Sequence, residues 1–173
     1  MSTLIGASWV HPEKLYLGVV GDLSFFYDMN SLGNRHLGKN IRILLVNNGK
    51  GCEFTHHMNM GSMLGHEAYP YICAEGHYGK QSPKLVRHYA EDLGFIYLTA
   101  SGKEEYEKVL PDFLNPSSEK PILLEAFTKD TDENTALKIM STIRQSHKEQ
   151  SKEMVKRLIG EETYGKLKKI FKG

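Results

Sequence analysis

A chain of 173 residues, 40% hydrophobic and 25% charged, is long enough to bury one sizeable core and has the composition of a soluble globular domain. Its net charge of +1 singles out neither nucleic acid nor an acidic partner, and two cysteines, Cys52 and Cys73, are too few for a disulfide framework. No apolar run approaches the ~20 residues that span a bilayer, and MSTLIGASWVHPEK lacks the basic and apolar regions of a signal peptide. The expectation is a soluble, cytoplasmic protein.

STLIGASWV predicts a short helix that stops at His11–Pro12. LYLGVVG (15–21) is a continuous apolar run of strand length, the pattern of a parallel strand buried on both faces. In LSFFYDMNSLGNRHL, Phe25, Phe26, Met29 and Leu32 recur at helical spacing, and IRILLV (41–46) is a second buried strand. This β-α-β order requires a crossover connection and a parallel sheet. Residues 48–82 are rich in Gly, Met, His and Tyr without a clear period, and a loop of that length in a compact domain is functional or partly disordered. PKLVRHYAEDLG predicts a helix with Leu85, Val86, Tyr89, Ala90 and Leu93 on one face and Gly94 as its stop. FIYLTA (95–100) is a third strand, KEEYEKVLPDFL a helix interrupted by Pro111, PILLEAFT (121–128) a fourth strand, and helices follow from Asp130. The fold class is α/β, a doubly wound and mainly parallel sheet with helices on both faces, followed by C-terminal helices.

Ligands of open parallel sheets bind beyond the carboxyl ends of the strands. Asp22 ends the first apolar run and Asn47–Asn48 the second, 26 positions from Asp22 to Asn48, which is one crossover. Either motif alone reads as an N-cap aspartate or as asparagines serving a turn. Their paired placement instead brings a carboxylate and an amide oxygen to one sheet edge. Such hard oxygens, with a backbone carbonyl, suit magnesium, which completes its shell with phosphate oxygens and water. A helix opening at Leu23–Ser24 would turn free N–H groups toward an anion, so the set describes a magnesium–diphosphate site.

GD followed at this spacing by NN resembles the signature of the thiamin-diphosphate-dependent enzyme family, GDG…NN. GDLSFFYDMNSL with VNNGKGCEF, and PILLEAFTKDTDEN farther on, is most similar to its menaquinone-pathway synthase branch, over roughly residues 1–145. The resemblance implies a C-terminal, diphosphate-binding domain whose metal ligands are Asp22, Asn48 and the Lys50 carbonyl. It implies cofactor contacts from Gly21, Asp22, Leu23, Ser24, Asn48, Lys50, Gly51 and Phe54. Thiamin diphosphate and Mg2+ are the implied cofactors, and a decarboxylase/carboligase acting on an anionic 2-oxo acid the implied enzyme. Leu23 stands where the wider family has glycine, and Lys50, Glu53, His56 and His57 make the following loop more polar than in that branch. The catalytic glutamate belongs to an N-terminal pyrimidine-binding domain or partner subunit, so no catalytic residue is assigned here. By the same resemblance the chain is a fragment or subunit that lacks its first strand, and a homo-oligomer is implied.

Cys52-x3-His56 and Cys73-x3-His77, with His57 and His66 between them, have the composition but not the spacing of a zinc site. They support a competing reading, a non-enzymatic metal-binding or partner-binding module; recognition of an anionic substrate is another use for these histidines. GVVGD is no dinucleotide fingerprint, because no G-x-G-x-x-G follows. Lys80, Lys84, Arg87 and His88 read as the solvated side of a helix rather than an anion patch. From His147 onward eight Lys/Arg face four Asp/Glu, and residues 146–173 form a basic amphipathic tail. Packing on the sheet or a neighbouring subunit is its ordinary fate; membrane contact is the lesser alternative, and nucleic acid is not expected.

Overall fold

A computed structural model describes residues 1–144, 154–158 and 160–161. The chain divides into two compact units, Met1–Asp130 and Thr131–Gly173. Most of the basic tail lies outside the described residues. Among those residues no helix is long and apolar enough to cross a membrane.

The first unit is built on four parallel strands, β1 (Tyr16–Gly21), β2 (Ile41–Asn47), β3 (Ile96–Ala100) and β4 (Ile122–Phe127), in the spatial order β1-β2-β4-β3. Side chains alternate across a strand, and the helices divide accordingly. On one face Ile43 and Leu45 of β2 and Leu123 of β4 join Ile5 of α1 (Ser2–Val10), Phe25 of α2 (Asp22–Asp28), and Val86 and Ala90 of a helix over Leu85–Asp92. On the other, Leu124 of β4 and Ala100 of β3 pack with Phe113 of a helix over Lys103–Phe113. The parallel α/β sheet with helices on both faces is therefore as the apolar pattern implies. Gly18 lets α1 lie close on β1: a Cβ there would fall 2.6 Å from Leu4 Cδ2.

Three expectations need correction. β1 is an edge strand, not one buried on both faces: Tyr16, Gly18 and Val20 turn toward the helices, while Leu17 is 51% and Val19 66% exposed. The helix after β1 is shorter than its pattern, passing at Met29 into a 3-10 turn that ends at Gly33. The helix Lys103–Phe113 runs through Pro111 without interruption. Proline there removes one N–H in the last turn, and the packing of Tyr106, Val109, Leu110 and Phe113 outweighs that loss.

Between β2 and the helix Leu85–Asp92, the chain is a series of 3-10 turns (Cys52–Phe54, Met60–Leu64, His66–Ala68) and one helical turn, α3 (Tyr69–Ile72). The helices Leu85–Asp92 and Lys103–Phe113 are thus α4 and α5, and α6 (Asp130–Arg144) opens after β4. At the other end of the sheet Arg42 is wholly buried. Its guanidinium donates to the Lys39, Ile41 and Asn115 carbonyls, Nε finds no acceptor, and burial lowers its pKa.

Candidate functional site

Strand register brings the two motifs together. Gly21 lies opposite Val46 and Asn47 opposite Phe127, so Asp22 and Asn47–Asn48 leave the sheet at the same edge. Asp22 is the first residue of α2 rather than its cap, and is 5% exposed. Its Oδ1 accepts the Leu23 N–H at 2.8 Å and its Oδ2 accepts the Gly49 N–H at 2.7 Å. A carboxylate has about four acceptor sites, so N–H bonds and a cation can share one. Asn48 Oδ1 accepts the Lys50 N–H at 3.2 Å, which curls residues 48–50 into a turn, with Gly49 at a φ of +82° that favours glycine.

The remaining residues of the implied set flank this turn. Leu23 packs on Gly51: a Cβ on Gly51 would stand 3.0 Å from Leu23 Cδ2 and 3.3 Å from Phe54 Cδ2. Gly21 ends β1, and Ser24 is exposed in the first turn of α2. The Lys50 ammonium turns away from Asp22, to Asp130 at 3.0 Å and to Glu75 at 2.5 Å, with the Tyr69 ring 5.0 Å from it. Burial lowers its pKa, but the two carboxylates reverse that and hold it above the ordinary lysine value.

The polar loop closes over the strand ends. Gly51 N–H donates to the Cys73 carbonyl at 2.8 Å, Gln81 Nε2 donates to the Asn47 and Thr128 carbonyls, and Tyr78 stacks on Phe26 at 4.4 Å. Ala74, Tyr78, Lys80 and Gln81 all have positive φ, an uncommon conformation for residues other than glycine. Between this segment and Asp22, lined also by Asn47, Gly49 and His77, is a space of about 10 Å³, the size of one water or ion. Across the 48–50 turn a cavity of about 270 Å³ is lined by Asn48, Lys50, Glu75, Lys80, Lys129 and Asp130, among others. The Asp22 carboxylate and the ion-sized room beside it suit a hard cation, and Lys80 and Lys129 beside the larger space suit an anion; of the two spaces Asn48 borders only the larger.

The cysteines and histidines do not assemble. Among the described residues no three His, Cys, Asp or Glu side chains lie where they could hold a metal. The implied ligand set is of another kind, one carboxylate with an amide and a main-chain carbonyl. Cys73 is buried and donates its S–H to the Tyr69 carbonyl, and burial pushes its thiol pKa up, away from nucleophile or ligand.

Sequence reasoning missed Glu125. It is wholly buried in β4, with Oε1 accepting from Asn47 Nδ2 and Oε2 from the Tyr97 hydroxyl, each at 2.6 Å. Burial raises its pKa, its two hydrogen bonds oppose that, and the nearby Asp22 charge adds to the rise. A glutamate inside the apolar run ILLEAF was the available signal. Gln81, Glu75 and Asp130 gave none, because a period-free loop does not say which of its residues fold back.

A parallel sheet that joins a strand-end carboxylate to an Asn-Asn-Gly turn is what the resemblance to thiamin-diphosphate-dependent enzymes implied, and sequence comparison bears that resemblance out, although no family model matches the chain. More particularly, the chain is 40% identical over 139 residues to the 2-succinyl-5-enolpyruvyl-6-hydroxy-3-cyclohexene-1-carboxylate synthase of Phocaeicola vulgatus. Synthases of the same name from Bacteroides fragilis and Bacteroides thetaiotaomicron are 36% and 37% identical over the same length. Each match covers 80% of this chain but 23% of the relative, so this chain is a relative of a part of those synthases.

Proposed function

We propose that this chain is the part of a thiamin-diphosphate-dependent 2-oxo-acid decarboxylase/carboligase that grips the metal–diphosphate end of the cofactor. The reading is carried by one observation: the buried Asp22 carboxylate takes the Gly49 N–H at 2.7 Å, which ties the two halves of the signature into one oxygen-lined cradle. Asp22, Asn48 Oδ1 and the Lys50 carbonyl would hold Mg2+. Gly21, Leu23, Ser24, Gly51 and Phe54 would line the cofactor, with Leu23 and Phe54 supplying its apolar wall. When bound, thiamin diphosphate supplies stabilisation of the carbanion formed on loss of CO2. This chain's own share is to bind, orient and shield.

The remaining machinery would come from elsewhere in a longer protein or from a partner subunit carrying the pyrimidine-binding domain and its glutamate, as a cytoplasmic homo-oligomer. The edge strand β1 supports this: among the described residues no strand pairs with its outer edge, which suits a further parallel strand, and Leu17 and Val19 are exposed on one face of it. The substrate would be an anionic 2-oxo acid, as in synthesis of the succinyl-enolpyruvyl product named for the relatives.

Calorimetric titration with thiamin diphosphate, with and without magnesium, tests the reading on the full-length protein and on Asp22→Ala. The expected result is binding that requires magnesium and weakens at least about a hundredfold in the variant, since groups that only orient a metal ligand are already worth ten- to a hundredfold. Equal, magnesium-independent binding by both proteins would sink it.

A further inference from the structure

We infer that Glu125 is a positioning residue of the candidate site, setting the Asn48–Lys50 turn through the side chain of Asn47. The inference rests on the cradle proposed above and concerns what holds that cradle in shape.

Glu125 stands in β4 between Leu124 and Ala126 and is wholly shielded from solvent. A carboxyl there is costly unless both oxygens are bonded, and an apolar residue would complete the core at lower cost. Both oxygens are bonded, and to side chains of two other strands. Oε2 accepts from Tyr97 of β3, and Oε1 accepts from Asn47 at the last position of β2.

Asn47 is in turn fixed along its main chain. Its carbonyl accepts the Thr128 N–H at 3.0 Å and Gln81 Nε2 at 2.8 Å. With the side chain and carbonyl of residue 47 both set, the chain leaves β2 in one direction, and two residues later the Gly49 N–H meets Asp22. One line of contacts thus crosses every strand of the sheet: Tyr97 on β3, Glu125 on β4, Asn47 on β2, and Asp22 just beyond β1. Its far end is the proposed cation ligand. Arg42, the other wholly buried charged residue among those described, bonds only to carbonyls at the opposite end and reaches no such group.

Position and charge are separable by substitution. Glu125→Gln keeps the shape, still offers an oxygen to Asn47, and can donate to the Tyr97 oxygen. Glu125→Leu removes the acceptor, and Asn47→Ala removes the donor while leaving Glu125 held by Tyr97. Magnesium-dependent affinity for thiamin diphosphate would be measured by calorimetry on the full-length proteins, with thermal midpoints taken without ligand. Glu125→Gln is expected to bind within about threefold of the parent, and Asn47→Ala and Glu125→Leu ten- to a hundredfold more weakly, the range for groups that orient a metal ligand. Should Glu125→Leu fail to fold, Asn47→Ala and Glu125→Gln decide alone. Parent-like affinity in Asn47→Ala overturns the inference, as does loss in Glu125→Gln as deep as in Asn47→Ala, which would make the negative charge the operative property. If Asp22→Ala binds like the parent, the cradle reading itself has failed; if only Asp22→Ala loses affinity, the cradle stands and the positioning role falls.

Discussion

The sheet buries one charged side chain near each end, and the two are solved differently. Arg42, at the start of β2, is surrounded by main-chain carbonyls, and its contacts go no farther than the turns that supply them. Glu125, near the end of β4, bonds only to side chains, and those lead to the candidate site. Carbonyls of a turn stay where the backbone puts them, so Arg42 braces local structure. Side chains have to be held, so Glu125 can pass a constraint between strands. Similar burial therefore marks a fold-supporting residue at one end and a site-supporting residue at the other.

The sharpest way to break that contrast is at Arg42. Arg42→Met should remove three hydrogen bonds and leave buried carbonyls unpaired, costing roughly 3 kcal/mol at ~1 kcal/mol or more per bond. The check is the denaturant midpoint, with cofactor affinity of the folded protein unchanged. A loss of affinity as large as that in Asn47→Ala would erase the distinction between the two ends.

A smaller effect is expected at Lys50. Its ammonium, with a side chain 9% exposed, joins Glu75 of the loop to Asp130 at the opening of α6. Lys50→Met should cost about 2 kcal/mol, below the range for a fully buried pair because both carboxylates retain solvent contact. Faster proteolysis within residues 52–82 should accompany it. Because the folded-state pKa of Lys50 is raised, the stabilisation is complete below the ordinary lysine value near 10.5 and is lost as pH rises above it. The alkaline part of the stability profile should therefore flatten in Lys50→Met.

The smallest expected effect sharpens the account of Glu125. Its folded-state pKa is raised above 4.5, so between that value and the folded one the native state binds more protons than the unfolded chain. Stability should fall as pH rises through this window, and Glu125→Gln should remove the fall. Denaturant midpoints from pH 4 to 8 measure it; a rise with pH in the parent that the variant abolishes would contradict a burial-dominated carboxyl.

Much of the framework was legible because buried parallel strands write themselves as apolar runs, and IRILLV and PILLEAF sit where the pattern puts them. The same rule misread β1. Leu17 and Val19 are as apolar as Val20, and composition cannot tell a covered face from a bare one. Pro111 was read as a break because local propensity ignores the packing that carries α5 past it. At the candidate site, the meeting of Asp22 and Asn47–Asn48 at one sheet edge was legible because strand register fixes it. Gln81 and Glu75 were not, because they arrive from a loop whose course depends on left-handed residues no periodicity announces. Glu125 stood in plain view, a charge within a core strand, and its meaning needed the neighbours that only the register supplies.

The contact between Leu23 and Gly51 has a consequence for anyone altering this site. A Cβ on Gly51 would press on Leu23 Cδ2 and on Phe54 together, so positions 23 and 51 share one parcel of space. Glycine at 23 would free room for a side chain at 51, whereas leucine at 23 would have to give by a few tenths of an ångström. A side chain at 51 is therefore best tried together with a smaller residue at 23, since the two draw on the same space.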